Sequence, residues 1–115
     1  MEIYGIGTDI IEIERIKEAI NRTVTFKQKV YSEKEIEHIE RKKNPYASFA
    51  GRFAAKEAVA KAVGTGVRGF SLRDIEILNE ENGRPVIETI VFEGNIHVSI
   101  SHTDKTAIAQ VVLEK

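Results

Sequence analysis

Apolar positions along this chain change their spacing in a way that divides it into a helical first half and a stranded second half. The opening run Ile3-Tyr4-Gly5-Ile6-Gly7-Thr8-Asp9 reads as a strand over residues 2–8 closed by Asp9. From Ile10 to Arg22 the spacing of Ile13, Ile16, Lys17 and Ile20 predicts a helix with charges on its other face. Ser32 followed by Glu35 has the form of a capping box, so a second helix is expected over Glu33–Lys42 with Ile36 and Ile39 turned inward. Asn44 and Pro45 are a cap and a first helical residue, and the helix they open runs to Val63, where Gly64-Thr65-Gly66 ends it.

Beyond that point the period falls to two. Asp74–Leu78 and Pro85–Val91 alternate about the turn Asn82-Gly83-Arg84, which predicts a hairpin. Ile96, Val98 and Ile100 then share one face of a strand and His97, Ser99 and Ser101 the other, and Thr106–Leu113 is a last apolar strand. A strand, then helices, then strands in succession predicts an α+β fold with helices packed on a largely antiparallel sheet.

Composition narrows the function. A chain of 115 residues fits one domain, 1–115, too small to enclose a deep site of its own, which makes assembly an expectation. Its 17 basic and 18 acidic residues nearly cancel, which argues against a general nucleic-acid or membrane-surface binder. Without cysteine there are no disulfides, thiolate nucleophiles or cysteine zinc sites. The N-terminus lacks the form of a signal peptide and no apolar run has membrane-spanning length, so a soluble cytoplasmic protein is expected.

Candidate chemistry centres on Ala50–Val63, where Gly51, Ala54, Ala55, Ala58 and Ala62 make a small-residue stripe beside Glu57 and Lys61. Four residues apart, that acid and base project from one helical face. Asp9 shares strand parity with Gly5 and Gly7, which leave its face open to a ligand. Together, Asp9 and Glu57 suit a hard divalent ion such as Mg2+, which takes oxygen ligands, keeps waters and completes its shell with substrate phosphates; Lys61 is placed to reach the same phosphate. Plainer readings stand beside these: Glu57 with Lys61 as an ordinary intrahelical pair, Asp9 as a helix cap, His102 as a surface turn residue. Arg15 and Arg22 lie two turns apart and offer a basic edge to an acidic partner, although Glu12, Glu14 and Glu18 dilute it to a mixed-charge face. Gly64-Thr65-Gly66 lacks the Gly-Lys-Ser/Thr ending of a Walker loop, and His38 and His97 have no metal-ligand spacing.

The ordered set Gly5-Ile6-Gly7-Thr8-Asp9-Ile10, Arg52-Phe53-Ala54-Ala55-Lys56-Glu57-Ala58, Gly64-Thr65-Gly66, Gly83-Arg84-Pro85 and Ser99-Ile100-Ser101-His102-Thr103 closely resembles the holo-[acyl-carrier-protein] synthases, the small bacterial phosphopantetheinyl transferases. It covers nearly the whole chain except an undistinguished stretch around Thr23–Asn44. The resemblance implies transfer of phosphopantetheine from coenzyme A to a serine of apo acyl carrier protein, releasing adenosine 3',5'-bisphosphate. It aligns Asp9 and Glu57 with magnesium ligands and Lys61 with a phosphate-contacting lysine. Gly64, Arg84, Pro85, Ser101, His102 and Thr103 fall on coenzyme-binding segments, and Arg15 and Arg22 on the carrier-docking helix. It also implies a homotrimer with active sites between subunits. Under that resemblance the proton of the serine is expected to pass either to Glu57 or to a metal-bound water held by the carboxylates. A noncatalytic coenzyme A sensor is the alternative from another class, and a plain structural oligomer the third.

Overall fold

In the computed structural model, which describes residues 2–115, five strands and four helices form an α+β architecture. Strand β1 (Ile3–Glu12) leads into helices α1 (Ile13–Arg22), α2 (Phe26–Val30), α3 (Glu33–Glu40) and α4 (Pro45–Val63). A 3-10 turn at Leu72–Asp74 then precedes β2 (Ile75–Asn79), β3 (Pro85–Thr89), β4 (Asn95–His102) and β5 (Thr106–Glu114). Every strand pairing is antiparallel: one sheet has the order β1-β5-β4, and β2 with β3 forms a separate hairpin sheet. No helix among the described residues is long and apolar enough to cross a membrane.

β1 is longer than its alternation suggests. Ile10, Ile11 and Glu12 continue the ladder opposite Ile108, Ala107 and Thr106, so the helix starts at Ile13 with Glu12 at its cap. Pairing with β5 overrides the helical spacing, which suits β-branched residues on a pleated surface. Asp9 therefore stands inside a strand and caps nothing.

The capping box of α3 is present, with Ser32 Oγ accepting from Glu35 N at 3.2 Å and Ser32 N donating to Glu35 Oε1 at 2.8 Å. Inside that helix Ile39 is fully buried while Ile36 is only half-buried, because the second inward position is taken by Glu35. At the end of α4, Gly64 adopts the left-handed conformation, φ 96°, which closes a helix at little cost for glycine.

Helix α4 is the centre of the molecule and is buried nearly all round. Ala54, Ala55, Ala58 and Ala62 pack with Ala109, Val111 and Leu113 of β5 and with Ile75 and Ile77 of β2. A second cluster joins its first turns, through Phe49 and Ala50, to Ile16, Tyr31 and Ile39. The small-residue stripe acts together with two glycines of β1: a Cβ on Gly5 would lie 2.0 Å from the carbonyl oxygen of Ala62, and one on Gly7 1.9 Å from that of Ala58. The glycines thus admit the helix backbone; the room they leave is not for a ligand.

Two basic residues are embedded in this helix. Lys56 Nζ donates to Glu35 Oε1 at 2.8 Å, to the Leu72 carbonyl at 3.0 Å and to the Ile75 carbonyl, with neither side chain of the ion pair exposed. Glu35 Oε2 takes the N–H of Ile77 at 3.1 Å, so the pair ties α4, α3 and β2 together. Burial draws the Lys56 pKa down while Glu35 pushes it back up. Arg52, one turn earlier, donates to Asn79 Oδ1 beside the hairpin and has a buried Nε without a partner.

Candidate active site

Close packing of β1 on α4 brings Asp9, Glu57 and Lys61 to one place. Asp9 shares the inward parity of Gly5 and Gly7, and its side chain is 16% exposed. Its Oδ1 accepts from Lys61 Nζ at 2.9 Å, and the same ammonium donates to the Thr8 carbonyl at 3.0 Å. Lys61 thus crosses from helix to strand and forms no ion pair with Glu57 among the described residues, which sets aside the ordinary intrahelical pair.

Glu57, half-buried one turn before Lys61, feels both neighbours. Burial pushes its carboxyl pKa above the usual carboxylate range, the charge of Asp9 pushes it further, and Lys61 pulls it back. Two neighbouring carboxylates and one lysine, on backbone elements held by close packing, form a site short of positive charge. No cluster of three or more His, Cys, Asp or Glu suited to a metal occurs among the described residues. The donor set therefore fits Mg2+ in one way: two hard carboxylate ligands, with the remaining positions left to water and substrate oxygens.

The other expected residues lie elsewhere on the chain. Pro85 begins β3 and Arg84 precedes it in the hairpin turn, which is held by Asn82 Oδ1 accepting from Arg84 N at 3.0 Å. They line a cleft of about 270 Å³ between β3 and β4, together with Glu80 and His97. Ser101 and His102 end β4, and both are exposed. Thr103 shapes the turn that follows: its Oγ1 accepts from Lys105 N at 3.2 Å and from Thr106 N at 3.0 Å. His102 Nδ1 lies 3.0 Å from the Thr103 carbonyl. Gly64 is the exposed cap of α4, three residues beyond Lys61. Arg15 and Arg22 are exposed on α1, the helix that follows the strand bearing Asp9.

Sheet register puts Ser101 and His102 on opposite faces: His102 pairs with Ala107 in a row of the same parity as Asp9, and Ser101 does not. Asp9, Ala109 and Ile100 are aligned across the sheet and face α4, whereas Ile10, Ile108 and Ser101 are aligned in the next row and face outward. The Asp9 carboxylate and Ser101 hydroxyl of one chain are therefore on opposite faces. The outward face also carries Ile6, 60% exposed, and Ile10, 65% exposed.

Sequence reasoning used Glu35 only as a capping residue and Arg52 and Lys56 only as motif positions, and did not anticipate that they are buried. The signal available was their position: Arg52 and Lys56, four residues apart, lie on a different face from Glu57 and Lys61, among small and apolar residues, where a charge has to be partnered.

Comparison with known proteins places the chain in a family. The family profile described as the 4'-phosphopantetheinyl transferase superfamily matches residues 5–112. A holo-[acyl-carrier-protein] synthase from Clostridium beijerinckii is 49% identical, covering 97% of this chain and 98% of that protein. The crystal structure of a Bacillus anthracis holo-(acyl-carrier-protein) synthase, in complex with CoA (3',5'-ADP), superposes with a TM-score of 0.89 at 43% identity over 97% of this chain and 96% of that one. The Helicobacter pylori synthase in complex with coenzyme A gives a TM-score of 0.86 at 33% identity, covering 95% and 99%. Fold, profile and full-length identity agree: the chain belongs to the 4'-phosphopantetheinyl transferase superfamily and, within it, to the holo-[acyl-carrier-protein] synthases.

Proposed function

We propose that this chain transfers the 4'-phosphopantetheine arm of coenzyme A to a serine hydroxyl of apo acyl carrier protein. The serine oxygen attacks the pantetheine-side phosphorus, the phosphoanhydride bond breaks, and adenosine 3',5'-bisphosphate leaves. The observation that carries this reading is the convergence of Asp9, Glu57 and Lys61 at the contact of β1 with α4. The coenzyme complexes of the Bacillus anthracis and Helicobacter pylori relatives support the choice of donor.

Asp9 and Glu57 would hold Mg2+, which when bound supplies positive charge to the phosphate oxygens and stabilises the leaving bisphosphate. Lys61 adds a mobile point charge at the same oxygens. Release of the serine proton falls to Glu57 or to a water held between the carboxylates; the raised pKa of Glu57 brings it nearer to the working range of a general base.

Gly64, Arg84, Pro85, Ser101, His102 and Thr103 are assigned to coenzyme A. Because Ser101 faces away from Asp9 in one chain, a complete site calls for a neighbouring copy, and the exposed isoleucines of the outward face favour such a contact. We infer a homotrimer with active sites between subunits, and docking of the acidic carrier protein on Arg15 and Arg22.

The deciding experiment is intact-mass analysis of apo acyl carrier protein incubated with the chain, coenzyme A and Mg2+. Gain of one phosphopantetheine mass, abolished by chelator, is the expected result. Saturable coenzyme A binding without any mass gain would replace the enzyme with a sensor.

A further inference from the structure

We propose that Lys61 is a displaceable stand-in for the cation at Asp9, so that taking up the cation and presenting the lysine to phosphate are one coupled event. This rests on the reading that Asp9 and Glu57 hold a divalent cation. Lys61 Nζ lies 2.9 Å from Asp9 Oδ1 and 3.0 Å from the Thr8 carbonyl oxygen. Both are hard oxygens of the kind Mg2+ selects, and both belong to the strand side of the site. A cation that takes Asp9 Oδ1 competes directly with the ammonium.

Exposure shows which partner can move. The Lys61 side chain is 54% exposed and that of Asp9 16%, so the carboxylate is held by the strand and the lysine stem is free to turn toward solvent. Lys56 provides the contrast on the same helix: wholly buried, with three oxygens around its ammonium, it has no alternative position. Once Lys61 leaves Asp9, its charge is available at the mouth of the site, where a phosphate ester would lie. Linkage then requires reciprocity: an anion that engages Lys61 frees Asp9 and raises cation affinity by the same factor by which the cation raises anion affinity.

Trace acetylation of lysines, read by peptide mass spectrometry, tests this with Mn2+ as the probe. Labelling of Lys61 should rise several-fold when Mn2+ saturates the wild-type protein, and should rise similarly in Asp9→Asn in the presence of chelator. Lys56 serves as the unreactive internal reference. In parallel, Lys61→Met should bind Mn2+ about fivefold more tightly than wild type, because an exposed competing ion pair has been removed. Mn2+ binding by the wild type with flat Lys61 labelling would overturn the stand-in role and leave the metal reading in place. Equal or weaker Mn2+ binding by Lys61→Met would also overturn it. Absence of Mn2+ binding in both proteins would overturn the metal reading together with the stand-in.

Discussion

Helix α4 carries two lysine–carboxylate pairs that differ in almost every physical respect. Lys56 and Glu35 are wholly buried, and between them they bond two backbone carbonyls and two backbone N–H groups, those of Ser32 and Ile77. Lys61 and Asp9 sit at the surface, with a second carboxylate beside them whose pKa is pushed up. The first pair engages every donor of Lys56 and both oxygens of Glu35, which is the condition for a buried ion pair to be tolerated. The second leaves Glu57 and the outer lone pairs of Asp9 uncommitted. Along one helix, saturation marks a structural joint and incompleteness marks a site.

The largest expected effect breaks the open pair. Asp9→Ala and Glu57→Ala should each lower carrier-protein modification by about a thousandfold or more, since enzymes accelerate phosphoryl transfer mainly by positioning the reactants and stabilising the charge that develops on the phosphate. Both variants should still fold, with unchanged far-UV circular dichroism. Breaking the closed pair should do the opposite. Lys56→Met leaves the Glu35 charge buried without its partner and should cost about 3–5 kcal/mol of stability, read from urea denaturation. Adding Glu35→Leu should recover part of that loss, and Asp9→Asn should change stability by less than about 1 kcal/mol.

A cation outside both pairs sharpens the contrast. Arg15→Glu should raise the KM for carrier protein about tenfold and leave that for coenzyme A unchanged, as expected for charge reversal at an acidic interface. The smallest effect concerns Glu57 alone. Its raised pKa means that the folded chain keeps this proton to higher pH than the unfolded chain does. The stability linked to it is full below the ordinary glutamate range and is lost as pH rises through the raised value. In chelator, Glu57→Gln should therefore melt higher than wild type at pH 8 and merge with it at acid pH, as read by thermal denaturation.

Much of this contrast is legible in the sequence. The local rules hold where local chemistry decides: the Ser32–Glu35 box, Pro45 and Gly64 at the ends of α4, and the turn at Gly83 all stand where short-range sterics and capping put them. Expectation fails where a distant segment decides. Ile10–Glu12 have helical spacing and are strand because β5 lies alongside. Helix α2, only five residues long, is held by the stacking of Phe26 on Phe53, ring centroids 6.3 Å apart, and by its junction with Tyr31, whose hydroxyl donates to the Phe49 carbonyl at 2.7 Å. Neither contact has a sequence period. The same holds for the site: Glu57 and Lys61 share a face by spacing, but that Lys61 bonds Asp9 instead of Glu57 follows from the depth to which Gly5 and Gly7 let the helix settle.

Titration with Mn2+ followed by electron paramagnetic resonance tests most directly whether Asp9 and Glu57 share one cation. A shared cation predicts a single saturable site per wild-type chain that disappears in Asp9→Asn and, separately, in Glu57→Gln. Retention of that site at wild-type affinity in either variant would contradict it.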